Sequence, residues 1–327
     1  MLPSIPMSYP NTKPILRLLT LVLLLTPTAC GRSPAVPEPS AQATPPGPVQ
    51  LAPGQKLQVV ATTNLVGDVV ARVGGDRIHL TTLIGWGVDP HSYVPSPRDT
   101  AAVYDAHLLF ANGAGLEVFL AEMLANAGGS AVRVSLSDGL ALRPLSDQHQ
   151  GEGGDDPHVW FDVHNVVRWV AAVEQSLTTL DPANAAAYHA NAEAYTRELE
   201  ALDAWIVQEV ATIPEANRKL VINHPVLGYF AARYGLQQLG AVYPLNPSAE
   251  PSAQDLAALE KRVGQLGVPA VFAENTVSAK LAEQVSRDTR VRLVLLYTDS
   301  LGGPGTGAET YLDLMRYDVQ VMVEALR

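Results

Sequence analysis

The sequence predicts an α/β protein of two lobes, each built on a parallel sheet covered by helices, with a single long helix bridging them. Three observations carry that reading. From Leu57 onward, short apolar runs alternate with helical patterns, the order that produces parallel sheets. The runs form two groups of about four, separated by one uninterrupted helical stretch. The chain has 327 residues, enough for two domains with cores of their own.

The strand-like runs of the first group are "LQVVAT", "RIHLTTLI", "AHLLFA" and "AVRVSL"; those of the second are "KLVINH", "LQQLGAVY", "PAVFAE" and "VRLVLLYT". Helical patterns lie between them at Ala114–Ala127, at Val226–Tyr234 with Gly235 as a stop, and at Ala253–Leu266. The segment between the groups, "DPANAAAYHANAEAYTRELEALDAWIVQEVATIP", opens with Asp181 as an N-cap and Pro182 at the first helical position. Tyr188, Ala192, Tyr195, Leu199, Leu202 and Ile206 recur at three- and four-residue spacing and mark one buried face. The polar residues keep no strict heptad, so the segment reads as a strut of ~45 Å rather than a coiled-coil arm. The expected organisation is a leader over 1–30, a tether over 31–56, a first lobe over 57–180, a linking helix over 181–213 and a second lobe over 214–327.

The leader shows Lys13 and Arg17, then the apolar run Leu18–Leu25, then "TPTAC" with Ala29 before Cys30. That is the order of a secretory signal, and the run is too short for a membrane span of ~20 residues. Cys30 is the only cysteine, so no intrachain disulfide can form. Its place resembles a lipobox, whose cysteine is acylated, although Pro27 stands where an aliphatic residue is usual. A nearby cleavage with a free thiol is the alternative. Residues 31–56 carry seven prolines and few large apolar side chains, the composition of an extended tether. An apolar fraction of 47% and a charged fraction of 17% are those of a globular body. The net charge of −11 argues against a nucleic-acid partner.

The tripeptide Asp-Pro-His occurs twice, as Asp89-Pro90-His91 in "GVDPHSYVPSP" and as Asp156-Pro157-His158 in "DDPHVWFD". Proline fixes its own φ and holds the preceding residue extended, so each copy aims an imidazole from a stiff loop. His224, in "KLVINHPVLGYF", and Asp299, in "LVLLYTDSLG", fall where a strand gives way to a loop or helix. Ligands of open α/β sheets bind beyond the carboxyl ends of the strands, so these four residues are candidates for one site. Three imidazoles and a carboxylate suit a borderline divalent ion such as Zn²⁺. The set lacks the thiolates that favour Cu(I) and the oxygen cage of Ca²⁺ or Mg²⁺. Spacing alone is a modest argument, because a single loop histidine is more often a hydrogen-bonded structural residue.

From Leu57 to the C-terminus the chain resembles the metal-specific substrate-binding proteins of bacterial ABC importers, which capture zinc or manganese. "GVDPHSYVPSPRD", "DPHVWFD", "DPANAAAYHANAEAY", "HPVLGYFAARYGL" and "YTDSLGG" followed by "YLDLMRYDVQVMVEAL" carry the resemblance. It implies two (β/α)₄-like lobes bridged by a long helix, with the family's four ligand positions falling on His91, His158, His224 and Asp299. It further implies a monomeric, extracytoplasmic carrier on the periplasmic or cell-surface side, held by a lipid on Cys30, that delivers its ion to an ABC permease. Histidine at the third position leans toward Zn²⁺; Mn²⁺ is the alternative, since Asp299 is also retained in manganese carriers and the His-rich loop of many zinc carriers is missing.

The other histidines have plainer readings. His79 and His107 lie in strand-like runs as structural residues, and His189 faces water on the strut. His164 is a capping or exposed residue with an outer-shell role as the alternative. His149, in an acidic loop, either helps recruit metal or is simply solvated. Glu274 is a rival to Asp299, an outer-shell acceptor or a structural hydrogen-bonding group. A zinc hydrolase is the competing class, but it would leave a coordination position open and supply a general base, and no His-Glu-x-x-His motif occurs. An adhesin role would leave no clear trace in the sequence.

Overall fold

In a computed structural model of the chain, the structure describes residues 47–145, 154–222, 225–241, 257, 260–261, 263–265, 267–276 and 280–327. All eight expected strands form. The first sheet comprises β1 (Leu57–Ala61), β2 (Ile78–Thr82), β3 (Leu108–Ala111) and β4 (Val132–Ser135), in the order β2-β1-β3-β4. The second comprises β5 (Lys219–Ile222), β6 (Gln237–Ala241), β7 (Ala270–Glu274) and β8 (Arg292–Leu296), in the order β6-β5-β7-β8. Every pairing is parallel. The two sheets repeat one topology, and in each the strand order reverses beside the first strand, the switch point where open sheets take ligands.

The helices are α1 (Asn64–Gly74), α2 (Pro97–Tyr104), α3 (Leu120–Ala127), α4 (Val163–Leu180), α5 (Ala185–Ala211), α6 (Gly228–Tyr234), α7 (Lys280–Thr289) and α8 (Tyr311–Leu326). Of the helix expected over 253–266, the described residues are helical. The helix expected from Ala114 starts only at Leu120. Gly113, Ala114 and Gly115 all take positive φ, which no right-handed helix tolerates. The turn they make brings the backbone N–H groups of Asn112 and Gly113 to the Glu117 carboxylate at 2.7 and 3.0 Å. Thr62 Oγ1 donates to the same carboxylate at 2.6 Å, joining the ends of β1 and β3.

The linking helix is real, with a different opening from the one expected. Pro182–Asn184 form a turn of 3₁₀ helix and the α-helix begins at Ala185. The Asp181 side chain caps no backbone N–H; it accepts from Asn184 Nδ2 at 2.6 Å and from the Tyr188 hydroxyl at 2.7 Å. The 27 residues of α5 span ~40 Å and pack against α1 and α4 of the first lobe and α6 and α8 of the second. All six residues expected on its inner face are buried, and Val210 extends the stripe. They belong to one hydrophobic core that runs without interruption from Leu57 to Leu326. Asp203 adds a polar weld, accepting two bonds from the Arg233 guanidinium at 3.2 and 2.6 Å and one from the Tyr234 hydroxyl at 2.9 Å.

The leader over 1–30, including Cys30, lies outside the described residues. The expected tether, 31–56, is described only from residue 47, and its end does not hang free. Val49 donates its N–H to Leu180 O at 2.9 Å, and Val49 and Leu51 pack on the core. Two apolar side chains suffice to dock this stretch, which otherwise has irregular backbone. No helix among the described residues is long and apolar enough to cross a membrane.

A core that crosses both lobes through α5 makes them one cooperative unit. Leu199→Ala should lower the free energy of urea unfolding by about 2–5 kcal/mol. Tryptophan fluorescence and far-UV circular dichroism should trace one coincident transition; two separated transitions would contradict the continuous core.

Candidate metal centre

The loops that follow the sheets' carboxyl ends build the site. His91 lies between β2 and α2, His158 between β4 and α4, and Asp299 between β8 and α8. In both Asp-Pro-His copies the acid accepts a hydrogen bond from the histidine's own backbone N–H: Asp89 Oδ1 from His91 at 2.8 Å, Asp156 Oδ1 from His158 at 3.0 Å. This is the local turn that aspartate forms with the backbone two residues on. Proline between the two stiffens it. The duplicated tripeptide is therefore one device used twice, a closed turn that presents an imidazole.

The second copy carries more. Asp156 Oδ1 also lies 2.7 Å from His158 Nδ1, which fixes the ring and leaves Nε2 facing the site. The loop is held from three sides. Asn112 Nδ2 donates to Pro157 O at 3.0 Å, the Tyr229 hydroxyl donates to Asp156 O at 3.1 Å, and Gly228 brings the start of α6 against Asp156. A Cβ on Gly228 would stand 2.6 Å from Asp156 Oδ2, so this approach requires glycine.

The donor atoms converge. His91 Nε2 and His158 Nε2 are 3.2 Å apart; Asp299 Oδ2 is 3.7 Å from the first and Asp299 Oδ1 3.6 Å from the second. Bonds of about 2.0 Å to one tetrahedral ion would separate its ligands by roughly 3.3 Å, close to these spacings. His158 and Asp299 are buried, and His91 is the partly open member. Among the described residues, these three form the group able to share an ion. His224 lies outside the described residues, as does His149.

Ionisable groups are concentrated here and largely buried. Burial works against an imidazolium at His158, yet the carboxylates of Asp156, Asp299 and Glu274 more than offset it and hold the ring above its ordinary value. Glu274 ends β7 fully buried, and burial pushes its carboxyl up to about 8, while the Thr298 hydroxyl and His158 pull it down. Its Oε2 accepts from Thr298 Oγ1 at 2.6 Å. Among the described residues Glu274 is not in the three-residue group; it bonds Thr298, the residue before Asp299. Trp160 Nε1 donates to Thr298 O at 3.1 Å, and its ring meets His158 edge-on at 5.4 Å, so one indole touches the loops of both His158 and Asp299.

The remaining histidines are elsewhere. His79 is exposed on β2, and His107 Nδ1 accepts from Gln58 N at 2.8 Å. His189 sits on the exposed side of α5 beside Glu174 and Glu193. His164, considered for an outer-shell role, is more than half exposed and takes a bond from Arg233 Nη2 at 3.0 Å, so it belongs to the α5–α6 weld. Sequence reasoning assigned no role to the two aspartates of the repeated tripeptide, although an acid two residues before the aimed residue was the available signal. Trp160 carried no signal, because its partners are distant in sequence.

Comparison with known proteins agrees with this geometry. Residues 59–325 match the family model described as zinc-uptake complex component A, periplasmic. The chain is 37% identical over 274 residues to the manganese-binding lipoprotein MntA of Halalkalibacterium halodurans, covering 84% of this chain and 89% of the relative. Among solved structures it is similar to the periplasmic zinc-binding protein TroA of Treponema pallidum, with TM-score 0.77 and 30% identity over 83% of this chain and 99% of that one. The Mn-bound periplasmic metal-binding protein of Candidatus Liberibacter asiaticus matches with TM-score 0.75 and 26% identity, over 84% and 100%. The chain belongs to the zinc-uptake component A family, the extracytoplasmic metal-binding components of ABC importers, which are carriers and not enzymes.

Proposed function

We propose that this carrier takes Zn²⁺ as its preferred cargo, held by His91, His158, His224 and Asp299. The observation that supports this most is the convergence of two buried-facing imidazole nitrogens 3.2 Å apart on the Asp299 carboxylate. A set of three nitrogens and one carboxylate suits a borderline ion better than a hard one. A sphere closed by four protein groups binds without leaving a position for reactive water. The second reading is Mn²⁺, favoured by the manganese-binding description of the MntA relative. In either case Cys30 carries the lipid that anchors the chain, the ion passes to the permease, and the carrier acts as a monomer. Organisation into a first lobe over 57–180 and a second over 214–327 places the cargo between the two, and the continuous α5 limits the movement that release requires.

Elemental analysis of the protein from its native host, with Zn²⁺ and Mn²⁺ competing in vitro, tests the cargo. Zn²⁺ in excess, with Mn²⁺ displaced by equimolar Zn²⁺, is expected; retention of Mn²⁺ would select the second reading. His158→Ala should weaken Zn²⁺ binding about 100-fold or more, while His189→Ala leaves it unchanged. Equal losses would remove His158 from the site.

Protons and the ion compete for the same Nε2 atoms. His158 is held above its ordinary value of 6.5, so protonation begins to compete at a correspondingly higher pH than for a free imidazole. Affinity should therefore fall as pH drops, measured against a chelator at fixed free Zn²⁺ between about pH 8 and pH 5.5. A flat profile would exclude imidazole ligation.

A further inference from the structure

Asn64 is the first residue of α1, after the N-cap Thr63, and it is 8% exposed. An asparagine so placed would ordinarily bond its own backbone or water. This one reaches the other lobe. Its Oδ1 accepts from Leu301 N at 2.9 Å, and its Nδ2 donates to Ser300 Oγ at 2.8 Å and to Gly85 O at 3.0 Å. Ser300 Oγ also accepts from Gly87 N at 2.7 Å and lies 3.0 Å from Leu301 O, to which it donates. The two amide protons of Asn64 and both acceptor directions and the proton of Ser300 are thereby used.

The partners fall into two sets. Gly85 and Gly87 belong to the loop that leads to His91, and Ser300 and Leu301 directly follow Asp299. One carboxamide therefore fastens the loop of an imidazole in the first lobe to the loop of the carboxylate in the second. No other side-chain type offers two donors and an acceptor at this length. Aspartate would keep the bond from Leu301 N, lose both donors and add a negative charge near Asp299. The bonds of Asn64 to Ser300 and Leu301 are buried, where breaking either leaves a desolvated group without its partner, while those to Gly85 and from Gly87 are part-buried.

We propose that Asn64 is a positioning residue for the cargo site: with Ser300 it sets the spacing between the His91 loop and Asp299, and so governs how firmly the ion is held. This rests on Asp299 being a ligand. Asn64 bonds Gly85, Ser300 and Leu301 and none of the described donor atoms, so its effect is transmitted through the two loops, and small errors in ligand placement translate into large losses of affinity.

The test compares Asn64→Ala, Ser300→Ala, their double variant and Asp299→Ala in the whole protein, with Co²⁺ as a spectroscopic probe and Zn²⁺ release followed with a chelator. Asn64→Ala should release Zn²⁺ about tenfold faster or more and should alter the visible bands of bound Co²⁺, which report ligand geometry. The double variant should be little worse than the poorer single one, because both break the same network. A merely structural asparagine would lower the melting temperature of the metal-free protein while leaving the Co²⁺ bands and release rate unchanged, and that result overturns the proposal. If Asn64→Ala does not fold, Ser300→Ala gives the same readouts, and unchanged bands there overturn it equally. Asp299→Ala separates the two ideas. Unchanged Co²⁺ bands in that variant would refute the ligand assignment itself, whereas altered bands in Asp299→Ala with unaltered bands in Asn64→Ala would refute only the positioning role.

Discussion

Two imidazole nitrogens and a carboxylate from three distant loops are held within hydrogen-bond range of one point, and much of the rest of the architecture follows from keeping them there. Burying Asp299 and His158 costs solvation that an unpartnered group could not recover. Around His158 the neighbouring carboxylates outweigh that cost and favour positive charge on the ring. The site is thus a place where positive charge is stabilised. Glu274, hydrogen-bonded to Thr298 beside Asp299, is fully buried, and that burial pushes its carboxyl up to about 8.

Holding the donors requires two levels of support. Locally, each Asp-Pro-His turn closes on itself through a bond between the aspartate and the histidine N–H two residues on. At longer range, side chains that never reach the site fix the turns against the sheets. Thr62 and Glu117 join the ends of β1 and β3, Asn112 carries that junction to Pro157, and Tyr229 and Gly228 bring α6 of the second lobe against Asp156. Trp160 and Asn64 cross between the lobes to the two sides of Asp299.

The strut gives this arrangement its stiffness. A hinged binding protein pivots on flexible connections, whereas α5 buries one face in a core common to both lobes. Opening the cleft widely would expose part of that face, at roughly 1.5–3 kcal/mol for each large side chain uncovered. Small displacements of the candidate donor loops uncover none of that face. Release by local disturbance therefore suits this fold better than release by domain rotation.

The alternation of apolar runs determined the eight strands, and the three- and four-residue spacing of Tyr188 to Ile206 determined the buried face of the strut, because these patterns are properties of local backbone geometry. The rigid Asp-Pro-His turns were likewise readable as devices that point a histidine. Local rules failed at 113–119, where consecutive positive φ values serve the Glu117 junction rather than helix propensity, and at Asp181, whose carboxylate prefers Tyr188 and Asn184 to the backbone. Only the tertiary structure decided that His91 and His158 meet Asp299, and that Asn64 and Trp160 reach the loop around Asp299. Those outcomes depend on contacts between residues more than a hundred positions apart, set by how two sheets are docked on one helix, and no local periodicity encodes such a distance.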